Sequence, residues 1–265
     1  MLPSLKELTQ MLTTVVDGIL SDGVSTASRE KRDGSLVTEV DEALQTALTR
    51  ALAQRWPQFP LLGEEMEAAE QRRLLDEHAG GVWCLDPLDG TTNFATGLPF
   101  YSVSLALMVN GRAALGVVYD PQRRECFSAA AGEGAWLNGE ALSLTQGEAA
   151  LRDCVGVVDF KRLDKALAAR LAQSGPYRSQ RNLGSCALEW CWLAAGRAQL
   201  YLHGGMKLWD YAAGSLILAE AGGRSCTLDG EAVEVPEVIP RSVVAAVSDA
   251  LFQQWREWLG VPGTA

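Results

Sequence analysis

Two carboxylates, Asp86 and Asp89, stand three residues apart in "GVWCLDPLDGTTNFATGLPF" (81–100), where an apolar run ends and Gly90, Thr91 and Thr92 follow. Like charges at such range repel unless a proton or a cation lies between them. Glu64 and Asp210 join them as candidates for one cation-binding centre. Oxygen-only ligands select hard divalent ions, above all Mg2+, rather than zinc. Asp86 and Asp89 are expected to flank Pro87-Leu88 in a turn that lets both side chains face one spot, with the Leu88 carbonyl as a further ligand. Two members also have plainer readings. Asp210 opens the helical segment "DYAAGSLILAEAGG", where an Asp commonly serves only as a cap, and Glu64 with Glu65 reads equally as a solvated pair.

Gly90, Thr91 and Thr92 add a second function. A small residue beyond an acidic turn lets backbone N–H groups approach a phosphate, and the two hydroxyls can donate as well. Asp-Gly is also a common turn dipeptide. Carboxylates would repel a phosphate, so their adjacency to an anion cradle makes chemical sense when metal ions bridge the two.

These residues need elements to carry them. Apolar spacing from Leu5 to about Leu20 predicts a helix, and "SDGVSTASREKRDGS" reads as a loop. "LVTEVDEALQTALTRALAQRW" predicts a second helix stopped by Pro57. "FPLLGEE" and "GVWCLD" read as strands, the latter ending at Asp86. "FYSVSLALMVNGRAALGVVYDPQRRECFSAA" reads as strands joined by turns, with Asn110-Gly111 a hairpin, and "GEGAWLNGEAL" adds a turn. From about Asp153 the expected order is strand "CVGVV", helix "LDKALAARLAQ", helix "SCALEWCWLAAG", strand "QLYLH", helix "YAAGSLILAEAG", strand "SVVAAVS" and helix "DALFQQWREWL". An antiparallel first half (about 1–145) and a more α/β second half (about 146–265) follow from this layout.

The chain of 265 residues is 48% hydrophobic and 21% charged, with a net charge of −10. That balance predicts an ordinary globular protein and argues against a nucleic-acid or anionic-membrane surface. Six cysteines without a CxxC pair are expected to be reduced core residues of a cytoplasmic protein. The first ten residues, "MLPSLKELTQ", predict neither a signal peptide nor a membrane span.

"DPLDGTTNF" and "WDYAAGSLILAEAGG" resemble the two motifs of the inositol monophosphatase family of Mg2+-dependent, lithium-sensitive phosphatases. "GEE" (63–65), "DGSLVTEVD" (33–41) and "RNLGSCALEWCWLAAGRAQLY" (181–201) also match family segments, in order along nearly the whole chain. The resemblance implies one domain spanning residues 1–265, a layered α-β-α-β-α sandwich, and hydrolysis of a small phosphate monoester such as inositol 1-phosphate or a sugar phosphate. It implies that Glu64, Asp86, the Leu88 carbonyl, Asp89 and Asp210 hold two or three Mg2+ ions. Glu64 and Thr91 would then position the attacking water, with Asp41 orienting the Thr91 hydroxyl. Gly90, Thr91 and Thr92 would cradle the phosphate, with Gly184, Ser185, His203 and Asp210 as further substrate contacts. Lys31 resembles a basic residue the family often carries before its "DGS" segment. A homodimer is implied as well.

One position departs from the pattern. Seven residues before Asp210, where inositol-hydrolysing members carry a Glu that contacts sugar hydroxyls, this chain has His203. A neutral imidazole offers one donor and one acceptor rather than a carboxylate. His203 therefore reads either as a satisfied residue at a strand end or as part of the substrate pocket, and His78 as a loop or helix-end residue. Related branches act on histidinol phosphate, fructose 1,6-bisphosphate or 3'(2'),5'-bisphosphate nucleotides. Thr92, where the nucleotidase branch typically has Lys, and "DGTTN" in place of "DGSSN" disfavour two of them. A further alternative is a non-catalytic role with the transcription machinery.

Overall fold

The computed structural model describes residues 2–21, 28–30, 36–64, 66–145, 147, 149–235 and 238–263, and of 28–30, 36 and 37 only the backbone. Lys31, the "DGS" at 33–35 and Glu65 lie outside the described residues. Two amphipathic helices, α1 (Leu5–Ser21) and α2 (Glu39–Arg55), form the first layer. Between them the short strands β1 (Ser28–Glu30) and β2 (Leu36–Thr38) pair antiparallel, so part of the stretch read as loop is a strand. The second helix starts three residues later than its apolar pattern suggested. Thr38 stops it as N-cap, closing a capping box with Asp41.

The second layer is a seven-stranded sheet in sequential order: β3 (Leu61–Gly63), β4 (Val82–Asp89), β5 (Ser102–Val109), β6 (Arg112–Asp120), β7 (Glu125–Ala130), β8 (Gly134–Leu137) and β9 (Glu140–Leu142). Only the β3–β4 pair is parallel. α3 (Ala68–Glu77) makes that crossover, with His78 at its C-terminal end. Asn110 and Gly111 both have positive φ and close the β5–β6 hairpin as expected.

Both faces of this sheet are covered, which is why β4 reads as an uninterrupted apolar run. Trp83 and Leu85 point into a core shared with Leu8, Leu12, Leu44 and Leu48 of the first two helices. Val82 and Cys84 point the other way, into a core built on the buried helices α6 (Cys186–Ala194) and α7 (Leu208–Glu220). Those two helices are apolar all round because they form the middle layer.

The second sheet has the order β11-β10-β12-β14-β13, from β10 (Val155–Asp159), β11 (Ser179–Arg181), β12 (Leu200–Met206), β13 (Arg224–Cys226) and β14 (Arg241–Ala246). β10 is parallel to both of its neighbours, whereas β14 runs antiparallel to β12 and β13. α5 (Lys165–Ser174) and α8 (Asp249–Leu259) complete the layers, joined by the Arg170 guanidinium donating to the Trp258 and Leu259 carbonyls. The result is an α-β-α-β-α sandwich. β11, β13, α3 and the six-residue α4 (Thr91–Thr96) are elements whose short or polar sequences carry no clear period. All six cysteines are free thiols. No helix among the described residues is long and apolar enough to cross a membrane.

Candidate active site

β4 does not end at Asp86 in a turn. It continues through Pro87 and Leu88 to Asp89, and the register slips: Asp86 pairs with Ser104 of β5, and Asp89 with Ser102. Residues three apart on a regular strand face opposite sides of the sheet. Here the partners are two apart, so the bulge absorbs one residue and returns both carboxylates to one face. Leu88 is sent to the opposite face, into the core beneath α1 and α2. Pro87 was the readable clue, because proline inside a buried strand marks a bulge.

Asp86 and Asp89 thus face the middle layer. Asp89 meets the first turn of α6: its carboxylate accepts from the Ser185 hydroxyl (2.6 Å), Cys186 N–H (3.1 Å) and Ala187 N–H (2.7 Å). A carboxylate at a helix N-terminus is stabilised by the free N–H groups and the helix dipole. Burial nevertheless outweighs those donors and pushes Asp89 up to about 6, with the Glu64 charge adding to the rise. Asp86 lies well above the usual carboxylate range through burial and the charges of Glu64, Asp89 and Asp210, against one hydrogen bond from Leu88 N–H (3.0 Å). Asp210, third residue of α7, accepts from Lys207 N–H (2.8 Å). Burial and then the Asp89 charge push it up to about 8. Glu64, in the turn after β3, acts on all three.

Four carboxylates, two from β4 and one each from the turn after β3 and from α7, therefore share one electrostatic neighbourhood. Among the described residues no three His, Cys, Asp or Glu side chains enclose a cation as they stand. The oxygens of Asp86, Asp89 and Asp210 accept from backbone and hydroxyl donors instead, while the repulsion from neighbouring charges persists. The donor set fits a hard divalent ion: it is all oxygen, buried at Asp86 and Asp89 and half-buried at Glu64 and Asp210, and short of positive charge.

Thr91 opens α4 beside this cluster. Its hydroxyl lies 2.9 Å from the Leu88 carbonyl and 3.2 Å from Asp41 Oδ1, fifty residues away in sequence. Asp41 Oδ2 meanwhile accepts from Thr38 N–H (2.8 Å) and the Thr38 hydroxyl (2.5 Å), so a residue that caps its own helix also reaches this site. Burial raises the Asp41 pKa, and the Thr38 and Thr91 donors moderate the rise. Gly90 has φ of +93°, and a Cβ there would stand 3.1–3.2 Å from the Phe100 carbonyl, Ser185 and Tyr101. Only glycine fits a left-handed residue in that space. Gly184 (φ +80°) faces Asn93 in the same way, and Thr92 is exposed beside them.

Sequence spacing did not reveal the residues that lock this arrangement. Asn93 donates from one amide nitrogen to the Phe100 and Leu183 carbonyls, both at 2.7 Å, tying the β4–β5 connection to the 183–185 turn. Glu189 accepts from Leu183 N–H, Gly184 N–H and the Tyr201 hydroxyl. Burial raises Glu189 to about 7 despite those donors. A Glu inside the otherwise apolar "CALEWCWLA" was the available signal. His203 is 2% exposed and lies beside Asp159 of β10 rather than open to a cavity. Two concavities lie elsewhere, one of about 650 Å3 between α1 and the β7–β8 hairpin and one of about 710 Å3 along α2. They contain none of these carboxylates, and their chemistry is unremarkable beside the buried charge at the β4 bulge.

A layered α/β sandwich with buried carboxylates grouped at a strand bulge defines a class of metal-assisted phosphatases. The chain belongs to the inositol monophosphatase family, whose model matches residues 4–258, and it is a phosphatase. It is 39% identical over 210 residues to Nus factor SuhB of Pasteurella multocida, covering 76% of this chain and 74% of that protein. It is 40% identical over 200 residues to inositol monophosphatase 2 of Solanum lycopersicum, covering 71% and 73%. Among solved structures it resembles the Thermotoga maritima IMPase, with a TM-score of 0.80 at 27% identity over 97% of this chain and 96% of that one.

Proposed function

We propose that this phosphatase hydrolyses a small phosphate monoester, an inositol 1-phosphate-like compound or a sugar phosphate, with two or three Mg2+ ions held by Glu64, Asp86, the Leu88 carbonyl, Asp89 and Asp210. The observation that carries this reading is the gathering of Glu64, Asp86, Asp89 and Asp210 in one place, where burial first and neighbouring carboxylate charges second raise Asp86, Asp89 and Asp210, so that ionising them together calls for a cation. Bound there, Mg2+ would offset the phosphate's charge and promote both water attack and departure of the alkoxide. The chain's own residues do the rest. Thr91 and Glu64 orient the attacking water, and Asp41 fixes the Thr91 hydroxyl. Gly90, Thr91 and Thr92 receive the phosphate at the first turn of α4, where N–H groups lack intrahelical partners. Gly184 and Ser185 complete the cradle from the facing turn, Asp210 borders it from α7, and His203 bears on the alcohol side.

The same reading takes residues 1–265 as one domain whose halves meet near residue 145. It extends to inhibition by lithium and to a homodimer in the cytoplasm. A second role with the transcription machinery is supported by the name Nus factor that relatives such as the Pasteurella protein carry, and affinity capture of RNA polymerase by the purified chain would test it.

Phosphate release assayed with Mg2+ and with excess EDTA tests the main reading directly. Activity should require the ion. Asp86→Asn keeps an acceptor for Leu88 N–H but removes the charge, so kcat should fall by about 10²–10³-fold, the scale of one electrostatic stabiliser in an active site. Near-wild-type turnover in folded Asp86→Asn would remove the carboxylates from the metal site.

A further inference from the structure

His203 and Asp159 stand directly opposite one another on the adjacent parallel strands β12 and β10. The chain turns at Asp159 into a short 3-10 segment, Phe160–Arg162, which Asp159 caps by accepting from Lys161 N–H (2.8 Å). In sheets of this kind ligands bind beyond the carboxyl ends of parallel strands. His203 Nδ1 accepts from Gly205 N–H (3.1 Å), which in the neutral ring leaves the proton on Nε2. That nitrogen lies 3.1 Å from Asp159 Oδ2. Both imidazole nitrogens are therefore engaged inside the protein, and the ring has nothing left to offer a substrate.

Asp159 differs. Its side chain keeps 16% of its surface, and each carboxylate oxygen can accept about two hydrogen bonds. Oδ1 has the Lys161 N–H and Oδ2 the imidazole, with Arg162 Nε 4.0 Å from Oδ2 and too far to hydrogen-bond, so each oxygen retains acceptor capacity. The group borders the carboxylate centre: His203 Nε2 is 3.7 Å from Cys186 Sγ, and Cys186 N–H is one of the donors to Asp89. Asp159, Asp89 and Asp210 all act on that one thiol. Burial raises the Asp159 carboxyl, but His203, Lys161 N–H and Arg162 outweigh it, so the group lies below its ordinary range. An ionised acceptor at the edge of a phosphate site suits hydroxyl donors and repels a second phosphate.

We propose that Asp159 is the specificity-determining carboxylate of this phosphatase, accepting hydrogen bonds from the hydroxyls of a sugar or polyol phosphate, and that His203 is the positioning residue that holds it. The inference rests on the carboxylate centre being the phosphate site. It assigns His203 an indirect part, through Asp159, in place of contact with the substrate.

The test compares kcat/KM for inositol 1-phosphate and a hexose 1-phosphate with that for p-nitrophenyl phosphate, whose leaving group has no hydroxyl donor beyond the scissile oxygen. Asp159→Asn should lower the polyol-to-nitrophenyl ratio by about ten- to a hundredfold, the range for a hydrogen bond to a charged group. His203→Leu should lower the ratio similarly, and His203→Gln, which keeps an N–H donor, should restore most of it. Adding His203→Leu to Asp159→Asn should cost no further selectivity. An unchanged ratio in folded Asp159→Asn, or full additivity in the double variant, overturns the proposal. Should Asp159→Asn fail to fold, the Leu and Gln variants at His203 decide, equal ratios in the two overturning it. Absence of Mg2+-dependent release from p-nitrophenyl phosphate by the wild type would overturn the phosphate-site reading itself, together with this proposal.

Discussion

Thr91 shows how little a single residue needs to become specific. Its one hydroxyl proton has two acceptors within reach, the Leu88 carbonyl at 2.9 Å and Asp41 Oδ1 at 3.2 Å. Whichever it takes, a lone pair remains available to accept a hydrogen bond from water. A group that orients water contributes mainly in the transition state, so Thr91→Ala should lower kcat by about 10²-fold or more with little change in KM. Steady-state kinetics on one substrate separates the two. A purely KM effect would make Thr91 a phosphate ligand. Asp89 carries the opposite lesson, because it cannot be changed cleanly: Asp89→Asn would set an amide against the donors from Ser185, Cys186 and Ala187. Asp86, whose carboxylate accepts from Leu88 N–H, is the better probe.

Among the elements, the bulge in β4 and the turn after it do the positioning. The bulge brings Asp86 and Asp89 to one face. The left-handed Gly90 then reverses the chain into α4 so that Thr91 falls beside the Leu88 carbonyl. A side chain at Gly90 would meet backbone and two side chains while holding φ at +93°. Gly90→Ala should therefore destabilise the protein by about 1–3 kcal/mol, the usual cost of a strained backbone position. It should also lower activity more than stability alone explains. Urea unfolding beside kinetics on the folded fraction checks both. Wild-type turnover in the folded variant would show that the turn tolerates displacement.

At the scale of the whole molecule, the carboxylate centre trades stability for function. Asp89 at about 6, Glu189 at about 7 and Asp210 at about 8 all lie above their unfolded values, as does Asp86. A raised carboxyl binds its proton more tightly in the folded state than in the unfolded one. Its contribution to stability is complete below about pH 4 and is lost as pH rises through the folded pKa. These groups should make the metal-free protein lose stability between about pH 4 and pH 8. Asp210→Asn should flatten that slope and raise the metal-free Tm near pH 8. Mg2+ should raise Tm more at pH 8 than at pH 5, because it competes with protons for the same oxygens. Thermal melts with and without Mg2+ at the two pH values suffice. A Tm increment independent of pH would separate the ion from these carboxylates.

Much of this protein was legible before folding. "DPLDGTTNF" and the Asp210 helix named the cluster, the 3.6-residue spacing from Leu5 outlined α1, and Asn110-Gly111 marked its hairpin, because local chemistry and periodicity act over a few residues. The long-range pairings were not legible. That Asp89 caps α6 from ninety-six residues away, that Thr91 meets Asp41, and that His203 turns inward onto Asp159 depend on which strands become neighbours. The same holds for the bulge that turns a three-residue spacing into a shared face. Sequence determined which carboxylates and hydroxyls the chain has for the cation and phosphate site proposed above. Tertiary structure decided which of them are brought together, and burial is what turns ordinary carboxylates into groups that hold a proton unless a cation takes its place.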